Sequence, residues 1–213
     1  MDKLELLKEQ WKSGDQELPK LSFREIYQML LKKSSSIVKW IFIISIAELL
    51  FWLSLYFIIP DSNLEIMHKM GIGDFIFYSN IVHFTIFGVF IYYFYKNFRS
   101  IKVTDNTKLL MKKILMTRRT VKYFVYYNIG MFILSSVILD VFFYNRSEQL
   151  YDVMDFANQG VPLENFATVF IISQIVVGVL VVGILMLFYW LVYGLLLRRL
   201  KTNYKELKKI DQN

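Results

Sequence analysis

Glu48 stands in Ile46-Ala47-Glu48-Leu49-Leu50, near the middle of an apolar run. A carboxyl group at that depth in a bilayer is costly, and an intramembrane ionisable residue is a functional candidate by default. His83 lies near the middle of the next apolar run. A short loop makes the two runs neighbours, which puts both residues at similar depth. A Glu48–His83 hydrogen bond or ion pair is therefore the expected pairing. It could relay a proton or bind a cation, or act as interhelical glue worth about 1 kcal/mol.

Other polar residues fall in or beside the apolar runs. Asp140 is near the outer end of the third run, within reach of Ser135, Ser136 or Gln174 of the fourth. Asn80 and Asn128 are single amides that can join helices. Lys108, Lys112, Lys113, Arg118 and Arg119 form the densest basic cluster. Juxtamembrane cations gain about 1 kcal/mol each near an anionic leaflet, so this cluster could contact anionic lipid, or serve topology alone. Leu4, Leu7 and Trp11 recur at i, i+3 and i+7 of a short amphipathic stretch and would form a partner-binding face.

What is missing also narrows the chemistry. The chain has no cysteine and only two histidines, His68 and His83. That rules out disulfides, thiolate metal sites and a multi-histidine metal centre within one chain. No Gly-rich phosphate loop, HExxH, GxSxG or aspartate cluster occurs. The sequence predicts no catalytic residue, no metal and no cofactor.

The elements that must position these residues are helices crossing a membrane. Of 213 residues, 55% are hydrophobic and 17% aromatic. Four apolar spans are expected at about 37–59, 73–95, 121–144 and 166–197, since roughly 20 apolar residues cross a hydrocarbon core. Backbone groups in lipid must bond within their own segment, so the spans should be helices. Tyr and Trp cluster near the span ends, among them Trp52, Tyr127, Tyr189, Trp190 and Tyr193, as an interfacial belt does. Ser22-Phe23-Arg24-Glu25 fits a capping box whose helix runs on into the first span. Asp105-Asn106-Thr107 can cap a long helix leading into the third, and the fourth continues into the basic tail. The expected fold is an all-α integral membrane protein with extended cytoplasmic helices. It divides into a cytoplasmic N-terminal region (1–36), a four-helix transmembrane domain (37–197) and a basic cytoplasmic tail (198–213).

Charge orients it. Twenty-three of 25 Lys and Arg lie in 1–39, 96–122 and 198–209, whereas 60–74 and 144–165 hold only Lys69 and Arg146 against seven acids. Positive charge collects on the cytoplasmic side, so both termini are expected there, in a bacterial inner membrane. The same asymmetry accounts for the pI near 9.4 without nucleic acid as a partner. About 36 mostly polar residues precede the first run, unlike a signal peptide, so that run is expected to be uncleaved.

The segments Leu4–Lys12, Leu21–Tyr27 and Lys32–Ile41 resemble a family of uncharacterised membrane proteins of flavobacteria and other Bacteroidetes. Members often carry the label beta-carotene 15,15′-monooxygenase. The resemblance is specific over about residues 4–60 and one of hydropathy beyond, and it implies a four-span fold. Carotene-cleaving enzymes rely on several histidines, and this chain has two. The Leu4, Leu7 and Trp11 pattern also resembles cytoplasmic segments of Bacteroidetes membrane proteins thought to sit beside sigma factors, which implies a signalling role. The expected function is a non-enzymatic regulatory or interaction protein with a basic cytoplasmic face. Its expected partners are membrane lipids, a cytoplasmic protein and further copies of itself. The alternative is a small oligomeric transporter or lipid-handling protein centred on Glu48 and His83.

Overall fold

The computed structural model describes residues 22–58, 61–101 and 106–212, and every regular element among them is helical. Ser22 opens the first helix. Its Oγ accepts from the Glu25 backbone N–H at 3.3 Å, and the Glu25 carboxylate accepts from the Ser22 backbone N–H at 2.7 Å. This is the reciprocal capping box read from the sequence. From it α1 (Phe23–Ile58) runs unbroken through the first apolar stretch. The short α2 (Asp61–Lys69) and then α3 (Gly73–Ser100) follow. Asn106 caps α4 (Thr107–Asn145) by accepting from the Leu109 N–H at 2.8 Å. With 39 residues, α4 is about 58 Å long at 1.5 Å per residue. A short α5 (Ser147–Val153) leads to α6 (Phe166–Tyr189), a π-helical turn (Trp190–Gly194) and α7 (Leu195–Gln212).

Four helices are long and apolar enough to cross a membrane: α1, α3, α4 and the continuous α6–α7 rod. That is the architecture of a multi-pass membrane protein. One end of the bundle carries the Lys and Arg of α1, α4 and α7, and the other carries α2 and α5. They are called the basic and acidic ends here. Leu4, Leu7 and Trp11 lie outside the described residues.

The core occupies the basic half. On α1, beside Leu30, the buried series is Leu31, Ser34, Val38, Ile41, Ser45 and Glu48. On α4 they are Leu110, Ile114, Thr117, Val121, Phe124 and Asn128. Both series alternate steps of three and four, the spacing of helices packed knobs-into-holes. The rod adds Tyr189, Tyr193, Leu200, Asn203 and Leu207, and α3 adds Phe87 and Phe94. One polar contact crosses this core near its basic limit: Asn203 Nδ2 donates to Ser34 Oγ at 3.0 Å. Along its whole length α6 buries only Phe166 and Tyr189, one at each end. Most of its Val, Ile and Leu side chains are exposed, because lipid is as apolar as they are and burial inside the bundle gains little.

A small second cluster closes the acidic end, built from Met70, Ile72, Phe143, Leu150, Tyr151 and Phe166. Gly71, at φ 76°, makes the turn between α2 and α3 that brings Met70 and Ile72 inward. The two cations of this end are both engaged. Arg146 Nη1 donates to the Met70 carbonyl at 2.8 Å, and its guanidinium lies 4.6 Å from the centre of the Phe142 ring. Lys69 sits 2.8 Å from Glu65, and its hydrogen bond and charge hold that carboxyl below the usual carboxylate range.

Candidate functional site

Glu48 is buried where α1 meets the rod. Tyr189 Oη donates to Oε1 at 2.6 Å and Tyr193 Oη donates to Oε2 at 2.9 Å. Trp52 lies one turn further along α1. Each carboxyl oxygen thus has its own hydroxyl donor, as a buried carboxyl group requires. Local backbone geometry accompanies the convergence of the two tyrosines. The π turn begins directly after Tyr189 and contains Tyr193, widening the rod where both rings turn inward. Single π turns inside α-helices occur frequently at functional sites.

The expected Glu48–His83 pair does not form. His83 Nδ1 shares a hydrogen bond with Tyr127 Oη at 3.3 Å, and the two rings stack with centroids 5.6 Å apart, tilted by 13°. Depth along the helices was not the obstacle; rotation about the helix axes was. Glu48 belongs to the stripe of α1 that faces the rod. A chain of aromatic contacts runs from His83 to Tyr189 instead: His83 contacts Phe87, Phe87 packs edge-on against Phe124 at 5.0 Å, and Phe124 contacts Tyr189. The reading of Tyr189 and Tyr193 as belt residues is corrected as well. Both are buried, 4% and 1% exposed, whereas Trp190 between them is 60% exposed. The available signal was their i, i+4 spacing on the one span that must approach a mid-membrane carboxyl.

Above this triad, toward the acidic end, the four long helices part around a cleft of about 690 Å³. Trp52, Phe84, Met131, Phe132 and Leu185 are among its apolar walls. Asn80, His83, Asn128, Ser135 and Tyr189 present polar atoms, and no Asp, Glu, Lys or Arg lines it. Asn128 is anchored by donating from Nδ2 to the Phe124 carbonyl at 2.8 Å. Tyr189 belongs to both places: it lines the cleft and donates to Glu48.

Residues 24–212 match the model of a family described as a domain of unknown function, DUF8845. The chain belongs to that family. No curated protein and no solved structure matches it. The DUF8845 match takes in Glu48, His83, Tyr127, Tyr189 and Tyr193, and begins after Leu4, Leu7 and Trp11.

The remaining expected residues are scattered. Asp140, Ser136 and Gln174 line a second, smaller pocket of about 460 Å³ between α4 and α6, and none is hydrogen-bonded to another among the described residues. Lys108, Lys112 and Arg119 are exposed on α4. Lys113 turns away from them and donates to the Ser100 carbonyl at the end of α3, where a cation suits the helix C-terminus. The Arg118 Nε is enclosed without a hydrogen-bond partner among the described residues. The five therefore do not act as one surface. No group of three or more His, Asp or Glu stands together among the described residues in a way that would hold a metal.

Proposed function

We propose that this is a non-enzymatic regulatory protein of a bacterial cytoplasmic membrane, with both termini in the cytoplasm. It holds a neutral amphipathic molecule in the cleft and relays occupancy toward the basic end. The observation that carries this reading is the double role of Tyr189, which lines the cleft and bonds Glu48 at 2.6 Å. A molecule that contacts the Tyr189 ring or hydroxyl alters that bond. It thereby biases the packing of α1 against the rod, which continues through Ser34–Asn203 to the basic end.

The cleft suits such a ligand. Its volume lies in the range of small-molecule sites, roughly 300–1,000 Å³, which combine apolar walls with a few placed polar groups. An ionised ligand would need a partner charge, and the lining supplies none. Amide, imidazole and hydroxyl groups suit a hydroxyl or carbonyl head instead. Orientation rests on the concentration of Lys and Arg at one end.

The test is to purify the protein in mild detergent, extract it with organic solvent and identify neutral amphiphiles by mass spectrometry. Ser135→Trp, which fills the cleft, should lose the species the native protein retains. If the native protein retains none, or Ser135→Trp retains the same amount, the reading falls. Passage of the ligand across the membrane, as in a small oligomeric transporter, is a weaker alternative. Val121, Phe124 and Tyr193 pack the basic half below the cleft.

A further inference from the structure

A third concavity lies between α1 and α3 at the basic end, independent of the cleft. It has a volume of about 600 Å³. Gln28, Lys32, Ser35, Ser36 and Lys39 line it from α1, and Phe98 faces them from α3. Apart from the adjacent Ser35 and Ser36, these α1 residues recur every three or four positions and so form one stripe of the helix. Lys32 and Lys39 stand two turns apart along the helix, about 10 Å at 1.5 Å per residue, with Ser35 and Ser36 between them. Neither lysine forms a salt bridge, and neither serine hydroxyl is hydrogen-bonded, among the described residues. No carboxylate lines the groove.

The surroundings change character along the groove. Toward the membrane the surface becomes aromatic and apolar. Phe98 stacks on Phe42 with centroids 6.4 Å apart and planes 8° from parallel, and Phe42 packs on Tyr95. Trp40, Ile43 and Tyr95 are exposed there. A cationic, hydroxyl-rich trough that opens directly onto an aromatic and aliphatic face matches the two halves of a phospholipid. We propose that this groove binds the phosphate of an anionic phospholipid. The headgroup lies between Lys32 and Lys39, the hydroxyls of Ser35 and Ser36 donate to its oxygens, and the acyl chains run along Ile43 and Tyr95. By contrast, the exposed Lys108 and Lys112 of α4 line none of the concavities described here.

The full chain is reconstituted in nanodiscs of equimolar phosphatidylcholine and phosphatidylglycerol, released in mild detergent, and weighed by native mass spectrometry. Phosphatidylglycerol should stay bound in preference to phosphatidylcholine. The double variant K32Q/K39Q should weaken its retention roughly thirtyfold, from two lost headgroup contacts. K108Q/K112Q, whose lysines line no concavity, should weaken it far less. All four lysines are exposed, and matching helical content by circular dichroism shows that the variants fold. Equal retention of both lipids overturns the proposal, as does a loss of equal size in K108Q/K112Q. A separate titration with inorganic phosphate alone distinguishes the source. Saturation as tight as that of phosphatidylglycerol would make the groove a free-anion site and overturn the lipid assignment.

Discussion

Replacing Glu48 by Leu removes the acceptor for two hydroxyls at once. Leaving a buried donor unpaired costs about 1–3 kcal/mol. The two tyrosines should not suffer equally. Tyr189 lines the cleft, where its hydroxyl can find water or ligand, so it belongs at about 1 kcal/mol. Tyr193 is 1% exposed, so its hydroxyl belongs at the upper end, about 2–3 kcal/mol. Glu48→Leu is therefore expected to destabilise the bundle by about 3–4 kcal/mol in all. Tyr189→Phe and Tyr193→Phe should each lose about 1–2 kcal/mol, since each removes one hydrogen bond to a carboxyl group that keeps its other donor. The triple variant, which combines Glu48→Leu with Tyr189→Phe and Tyr193→Phe, leaves no polar group of the triad stranded. Replacing both sides of a buried polar contact by apolar groups is nearly neutral, so the triple should lose only about 1 kcal/mol. Unfolding free energies in detergent, measured for all four variants, decide the matter. A triple variant as unstable as the three single losses combined would refute the triad, because uncoupled residues add.

Glu48→Leu combined with His83→Leu should be additive to within about 0.5 kcal/mol in the same unfolding assay, since the two side chains share no partner. Ser34→Ala should cost about 1–2 kcal/mol by stranding the Asn203 amide, and Asn203→Leu added to it should restore most of that loss. Arg146→Ala should free the Met70 carbonyl and loosen the acidic end, read as faster hydrogen exchange in 66–76 and 147–156 with little change in α7. A reporter fused after Asn213 should report the cytoplasm and one inserted at Gln159 the opposite side. The reverse result would overturn the orientation drawn from charge.

The elements of this protein were legible in the chain because the signals for them are local. Hydropathy along 37–59, 73–95, 121–144 and 166–197 sets the length of each crossing, and Lys and Arg distribution distinguishes the two ends. Ser22 with Glu25, and Asn106 with Leu109, mark two helix starts within a single turn of chain. Similar depth for Glu48 and His83 was read from position along each run, and a wrong pairing followed. Depth says nothing about how a helix is rotated about its own axis. In water a polar stripe would report that rotation. In lipid the outward face is as apolar as the inward one, and α6 carries valine, isoleucine and leucine on every side. Nothing local sends Tyr189 and Tyr193 inward, nor places a π turn between Tyr189 and Leu195. Packing of α6–α7 against α1 and α4 decided both, and with them the partners of Glu48, the stacking of His83 on Tyr127 and the existence of the cleft. These depend on contacts between residues far apart in the chain, Glu48 and Tyr193 among them, and such contacts exist only once the helices have chosen their faces.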